Sequence, residues 1–121
     1  MPLDDRPAPD TVRAADDARD DAIVCARCGH PVTRRAERIE VGGGHEHVHM
    51  NAHGYVHRVG CFREADGARP VSMPTREWTW FPGYAWQLGA CAACGAHVGW
   101  QFVGAEGGFW GVALDAVRDA G

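Results

Sequence analysis

Cys25-Ala-Arg-Cys28-Gly29 and Cys91-Ala-Ala-Cys94-Gly95 are near-copies of one motif, with 62 residues between Cys28 and Cys91. Two residues between the cysteines let a turn aim both thiolates at one tetrahedral metal, and the glycine that follows permits the tight turn. Two such knuckles supply four sulfurs and close the coordination shell. A closed site is structural, because catalytic zinc keeps a position for water or substrate. The separation is longer than in a small zinc ribbon, so the metal is expected to pin the two ends of a whole β domain together. A thioredoxin-like redox pair would want strands alternating with helices around the motif, which the sequence does not offer. Disulfides are the third reading, but nothing suggests export. One structural Zn2+ per chain, on Cys25, Cys28, Cys91 and Cys94, is therefore favoured. Cys61 is left over, and its setting in Val59-Gly60-Cys61-Phe62 reads as a buried strand position holding an inert thiol.

Working outward from the knuckles, 121 residues allow one domain and no more than a loose end. Hydrophobic residues make up 45% of the chain, enough for one modest core, and 16 glycines accompany an absence of sustained helical periodicity. Short strands joined by turns, a mainly β fold, follow from that combination. The first 22 residues are rich in Asp, Arg, Ala and Pro and have almost nothing to bury. They are expected to be disordered or loosely ordered, with the folded domain running over 23–121. Net charge is −4, with no clustered run of Lys or Arg, so no footprint for nucleic acid exists. No stretch approaches a membrane span and the N-terminus has no apolar signal core, so a soluble cytoplasmic protein is expected.

Five tryptophans in so short a chain need a reason. Three fall in Glu77-Trp78-Thr79-Trp80-Phe81-Pro82-Gly83-Tyr84-Ala85-Trp86. Pro82-Gly83 is turn chemistry, with proline preset for the second turn position and glycine free to take positive φ at the third. Gly99-Trp100-Gln101-Phe102-Val103 reads as a strand whose alternation puts Trp100 and Phe102 on one face. Phe109 and Trp110, among apolar neighbours, read as core on a closing strand. Trp80, Trp86 and Trp100 sit instead beside turns, glycines and polar residues. Large rings placed there make walls for a small ligand. A two-residue hairpin at Pro82-Gly83 would set Trp80 across from Ala85 and leave Trp86 on the opposite face, so a cage requires a wider loop.

The block Trp80-Phe-Pro-Gly-Tyr-Ala-Trp86, the knuckle after it, Gly99-Trp100-Gln101-Phe102 and Asn51-Ala-His-Gly-Tyr-Val-His57 together resemble the thalidomide-binding, or CULT, domain of the cereblon family. The resemblance spans about residues 23–115. It implies a β-tent, two antiparallel sheets meeting at an angle and pinned by one structural zinc on the four cysteines. It also implies a non-enzymatic module for cyclic imides: glutarimide or succinimide rings, thalidomide-type drugs, or peptides bearing a C-terminal cyclic imide. Trp80, Trp86 and Trp100 match the cage walls, Phe102 the aromatic base and Asn51 the pocket-lining asparagine. The backbone at Trp78 and Trp80 would hydrogen-bond the imide. Two positions depart from the pattern: Trp78 stands where histidine is frequent, and Ala52 where proline is common. Docking onto a ubiquitin ligase is not expected of this chain alone.

His45, His47 and His49 alternate after Gly42-Gly43-Gly44, and three imidazoles on one strand face can bind zinc. A solvated strand face is the favoured reading, since no carboxylate is clearly placed to orient the rings. His53 and His57 are expected at the pocket edge or in loop support. Two rival functions remain: a reader of methylated ammonium groups, in which the same rings exploit cation–π attraction, and a redox enzyme of the methionine sulfoxide reductase B type. The latter needs a late reactive cysteine, and none follows Cys94.

Overall fold

The computed structural model describes residues 21–120. The disorder expected of the N-terminal segment falls on residues 1–20, which lie outside the described residues. Two residues of that segment belong to the fold. Asp21 accepts a hydrogen bond from the Arg35 amide through its carbonyl and from the Ala36 amide through its carboxylate, and Ala22 begins the first strand.

Among the described residues nine short strands build two antiparallel sheets, in keeping with the glycine content and the turn signals. The smaller sheet has the order β2-β1-β9, from Pro31–Arg34, Ala22–Cys25 and Val117–Asp119. The larger has the order β3-β4-β8-β7-β6-β5, from Glu46–Met50, Val56–Phe62, Gly107–Ala113, His97–Gly104, Ala85–Cys91 and Ala68–Pro70. The strand of Phe109 and Trp110, expected to close the domain, lies third in the six-stranded sheet, and β9 is the closing strand. Among the described residues no helix is long and apolar enough to cross a membrane.

Strand alternation divides the core in two. On β8, Trp110 and Val112 join Ile23, Val32, Phe62, Val98 and Val117 in the cluster shared by the two sheets. Phe109 and Ala113 face the other way, into a cluster with Val59, Cys61, Phe81, Trp100 and Phe102. Partly buried Trp80, Tyr84 and Trp86 pack on this second cluster. It is the floor on which the candidate site is built.

Candidate functional site

The two knuckles have matching backbones. The Gly29 amide donates to the Cys25 carbonyl at 2.8 Å and the Gly95 amide to the Cys91 carbonyl at 2.9 Å. The amides of Cys25 and Cys91 donate to the carbonyls of His30 and Ala96, both at 2.8 Å. Gly29 and Gly95 take φ of 81° and 79°, a conformation that penalises side chains with a Cβ. One knuckle joins β1 to β2 and the other β6 to β7, so the sulfurs tie one sheet to the other. All four Sγ atoms lie within 4.8 Å of one another, with Cys25–Cys94 at 3.7 Å and Cys28–Cys91 at 3.6 Å. Four sulfurs about 2.3 Å from a tetrahedral zinc would sit about 3.8 Å apart, so the set fits that ion. Burial raises the Cys25 thiol, but the amides of Cys28 and Arg27 and the neighbouring sulfurs bring it below its ordinary value. At Cys28 the backbone at His30 favours ionisation, yet burial and the sulfurs of Cys91, Cys94 and Cys25 drive the thiol upward. Neighbouring sulfurs thus push Cys25 and Cys28 in opposite directions, a conflict that a divalent cation would relieve.

Cys61 sits fully buried in β4 as expected, and burial pushes its thiol up to about 11. A protonated thiol without access to solvent is a poor nucleophile.

The tryptophans converge on the other side of the large sheet. After β5 the chain runs back along β6 before it turns. The Val71 amide donates to the Leu88 carbonyl, and Thr75 and Trp86 exchange amide–carbonyl bonds of 3.0 and 2.8 Å. Trp86 therefore faces Thr75 across a wide loop rather than terminating a two-residue hairpin. Inside this loop the Tyr84 amide closes a turn onto the Phe81 carbonyl at 3.0 Å, with Gly83 at φ 90° in the third position. The Thr79 hydroxyl clips the turn by donating to the Tyr84 carbonyl at 2.8 Å.

These constraints enclose a cavity of about 470 Å³. Phe102 and Trp100 form its buried floor, while Trp80, Trp86 and His57 stand half-buried around it. Trp80 meets Trp100 edge-to-face, with centroids 4.7 Å apart at 69°. Trp86 pairs with Phe102 across β6 and β7. Gly111, opposite Trp100 on β8, makes room for the floor: a Cβ there would come within 2.8 Å of the Phe102 ring and of Val59. Both wall indoles spend their N–H within the chain, Trp80 on the Met50 carbonyl at 3.1 Å and Trp86 on the Glu77 carbonyl at 2.7 Å. The backbone N–H and C=O groups of Trp78 and Trp80, by contrast, have no hydrogen-bond partner among the described residues. They stay available to a guest.

Every residue expected to line the pocket borders this cavity: Asn51, Trp78, Trp80, Trp86, Trp100 and Phe102. Asn51 also organises its loop. Its carboxamide oxygen accepts from the amides of His53 and Tyr55 at 2.9 and 3.0 Å. His53 and His57 lie at the edge, and Tyr55, Leu88 and His97 join them unforeseen. The signal for Leu88 was its register, two residues after Trp86 and opposite Trp100. His97 reaches solvent as a residue, yet its ring tucks edge-on against Trp100 at 4.8 Å. Burial, with His57 nearby, holds it below the usual histidine range despite the opposing pull of the Gly99 carbonyl.

The solvated histidine face is corrected. On β3 it is Val48 and Met50 that point to solvent, while His47 and His49 are half-buried beneath the cage. His49 stacks on Trp80 at 4.9 Å and 7°, and the rings of His47 and His49 both meet Phe81 edge-on. His45 meets Phe62 edge-on and bonds the Ile39 carbonyl, and His47 bonds the Gly44 carbonyl, both at 3.1 Å. Flat rings with satisfied nitrogens pack much as phenylalanine does. Among the described residues His49 Nε2 alone is buried without a partner. Burial, then the charge of His47, holds His49 below its ordinary pKa. Among the described residues only the cysteines group closely enough to share a metal.

Comparison with known proteins fits this geometry. The chain is 36% identical to cereblon of Xenopus tropicalis over 106 residues, covering 80% of this chain and 23% of that protein. It is a cereblon-type CULT domain. Cereblon of Gallus gallus is 35% identical over 75 residues, covering 58% of this chain and 17% of the relative. Cereblon of Drosophila willistoni is 36% identical over 77 residues, covering 58% and 13%. This CULT domain thus spans less than a quarter of the length of these relatives, and no family model matches it.

Proposed function

We propose that this CULT domain is a non-enzymatic binding module that takes an uncharged cyclic imide, as a small molecule or as the C-terminal cyclic imide of a peptide, into its tryptophan cage. One observation carries the proposal: unpartnered backbone donors and acceptors at Trp78 and Trp80 border a cavity walled by three indoles. A glutarimide presents one N–H between two carbonyls, and its ring methylenes carry slight positive charge that aromatic faces attract. Backbone groups would fix the polar edge while Trp80, Trp86, Trp100 and Phe102 hold the ring. The cysteine site would carry structural zinc, and the module would work in the cytoplasm.

The methylated-ammonium reading is less well supported. Among the described residues Glu77 is the one acidic residue bordering the cavity, and burial disfavours charge on the His97 ring that also lines it. Sulfoxide reductase chemistry would fall to Cys61, whose buried, protonated thiol is unsuited to it. Quenching of tryptophan fluorescence by glutarimide, N-methylglutarimide and a trimethyllysine peptide separates the alternatives. The N-methyl analogue leaves the backbone acceptor unpaired and should bind more weakly by about 2–3 kcal/mol. Equal binding of the two imides would overturn the proposal, and preference for the ammonium peptide would replace it.

A further inference from the structure

Trp80 is a wall of the cage that its own backbone does not fix. It lies between β5 and β6, outside every strand, and its backbone N–H and C=O have no hydrogen-bond partner among the described residues. The indole is therefore placed by what its ring touches. Trp100 meets it edge-on from the floor at 4.7 Å. Further support comes from the paired strands β3 and β4. His49 stacks on the indole at 4.9 Å and 7°, and the Met50 carbonyl accepts its N–H at 3.1 Å. His57, opposite His49 in the register of the two strands, meets the indole at a tilt, with centroids 6.0 Å apart. His49 does not itself border the cavity. It backs the wall.

His47 extends the stack. Its ring lies 5.7 Å from that of His49 at 10°, so three flat rings run nearly parallel from His47 through His49 to Trp80. Such a column favours uncharged rings. His47 spends Nε2 on the Gly44 carbonyl, but Nε2 of His49 is buried without a partner. An imidazolium carries N–H on both nitrogens, so it would bury a donor without an acceptor as well as a charge. The indole face attracts a cation and opposes this cost. Burial, then the charge of His47, nevertheless holds His49 below the ordinary histidine value. From the neighbouring elements, β4 brings His57, and β7 brings His97 on the far side of Trp100. Glu46 and Arg58 pair with each other at 3.7 Å, both more than half exposed, and the loop of Trp80 carries Glu77 at the cavity.

We infer that His49 is a positioning residue for the cage: its neutral ring, stacked behind Trp80, holds the wall indole in place, and acid that charges this ring loosens the wall and weakens imide binding. This rests on the imide proposal above. A charged His49 leaves the stack. Because Met50, the next residue of β3, holds the indole N–H, a shift of the strand frees Trp80 at the same time. β3 is an edge strand paired with β4, so it can yield while the rest of the sheet stays paired. Affinity is then full above the ordinary histidine value of 6.5 and falls as pH drops toward the lower folded value.

The test is calorimetric titration of the zinc-loaded chain with glutarimide at about pH 7.5 and about pH 5.5, each affinity referred to the folded fraction from far-UV circular dichroism. Glutarimide stays uncharged over this range, so the ratio of the two affinities reports on the chain. The unaltered chain should bind at least about fivefold more weakly at the lower pH. His49→Phe keeps a flat ring on Trp80 but cannot titrate, and should bring that ratio close to one. His49→Ala removes the ring and should bind several times more weakly than His49→Phe at the higher pH. A ratio near one in the unaltered chain, an equal fall in His49→Phe, or equal binding by the two variants overturns the inference. Near-UV circular dichroism without ligand reads the wall directly: the tryptophan signal should weaken at the lower pH in the unaltered chain and hold in His49→Phe. If glutarimide fails to bind at the higher pH, the imide proposal fails instead. The ligand-free signal then still decides the role of His49, and its constancy in the unaltered chain overturns that role.

Discussion

Gly111→Ala adds one methyl group, and the surrounding residues dictate its cost. The new Cβ would meet Phe102 Cε2 and Val59 Cγ1, each at 2.8 Å. Ordinary contact begins near 3.4 Å, so both neighbours must retreat by about 0.6 Å. Neither has room, with Phe102 1% and Val59 0% exposed. Overpacking of this kind costs about 1–3 kcal/mol. For a folded unit of this size each kcal/mol lowers Tm by roughly 4–8 °C, so a drop of about 10 °C is expected from 2 kcal/mol. Ligand binding should weaken as well, because Phe102 is the cage floor. The assay is thermal unfolding by circular dichroism with zinc in excess, paired with an imide titration below the transition. Phe102→Leu removes the ring edge that the methyl strikes. The double variant should therefore be less destabilised than the sum of the single changes. A Tm shift under about 2 °C for Gly111→Ala, or strict additivity in the double variant, would refute the packing account of the floor.

Chelation of the bound metal should loosen the domain and abolish imide binding, and returning zinc should restore both; retained binding in metal-free chain would contradict the staple role. Acid should destabilise the fold through His49 and His97, whose folded pKa values are depressed chiefly by burial. Unfolded histidine then takes up protons first, so this stability is fully present above the unfolded value near 6.5 and is lost as pH falls from there toward the lower folded values. Urea midpoints at about pH 7.5 and pH 5.5, either side of that value, measure the loss, which His49→Phe should reduce; an unchanged midpoint in the unaltered chain rules it out. Cys61 should resist a thiol reagent in the zinc-loaded native chain at about pH 8 and react once unfolded, and rapid native labelling would show that its burial is misjudged.

How much was legible follows from the range over which each feature is determined. The knuckles were readable because Cys-x-x-Cys-Gly fixes its own backbone, and the two copies share hydrogen bonds and φ angles almost to the degree. Cys61 was readable from its apolar neighbours. Convergence of the tryptophans was not readable from spacing, since the pairing of Thr75 with Trp86 is a long-range contact that local turn chemistry does not encode. Only resemblance to a family pointed to it. The β3 histidines misled because alternation was read with histidine as the polar partner. Their rings find carbonyls and aromatic faces inside, while Val48 and Met50 take the outside. Polarity alone does not tell which face of an edge strand is buried when the polar side chains are flat and can satisfy their nitrogens locally.

One irregularity joins the metal centre to the cage. Leaving its knuckle, β7 pairs His97 with Ala90 and Gly99 with Gly89, so Val98 is an extra residue without a partner on β6. Strict alternation would put Val98, Trp100 and Phe102 on one face. The extra residue resets the phase. Val98 packs with Ile23, Cys25 and Cys91 between the sheets, while Trp100 and Phe102 pack with Phe81 and Phe109 beneath the cage. One strand thus serves both cores. Trp86 and Cys91 lie five positions apart on β6, roughly 17 Å at strand rise, and β6 pairs with β7 from Ala85 to Ala90 with Val98 as the one irregularity. A metal that fixes the knuckle therefore fixes the register of the ribbon, and the register decides which face carries the indoles. The metal centre can control the cage without touching it, because a slip of one residue at the cysteines would turn Trp100 and Phe102 away from the cavity.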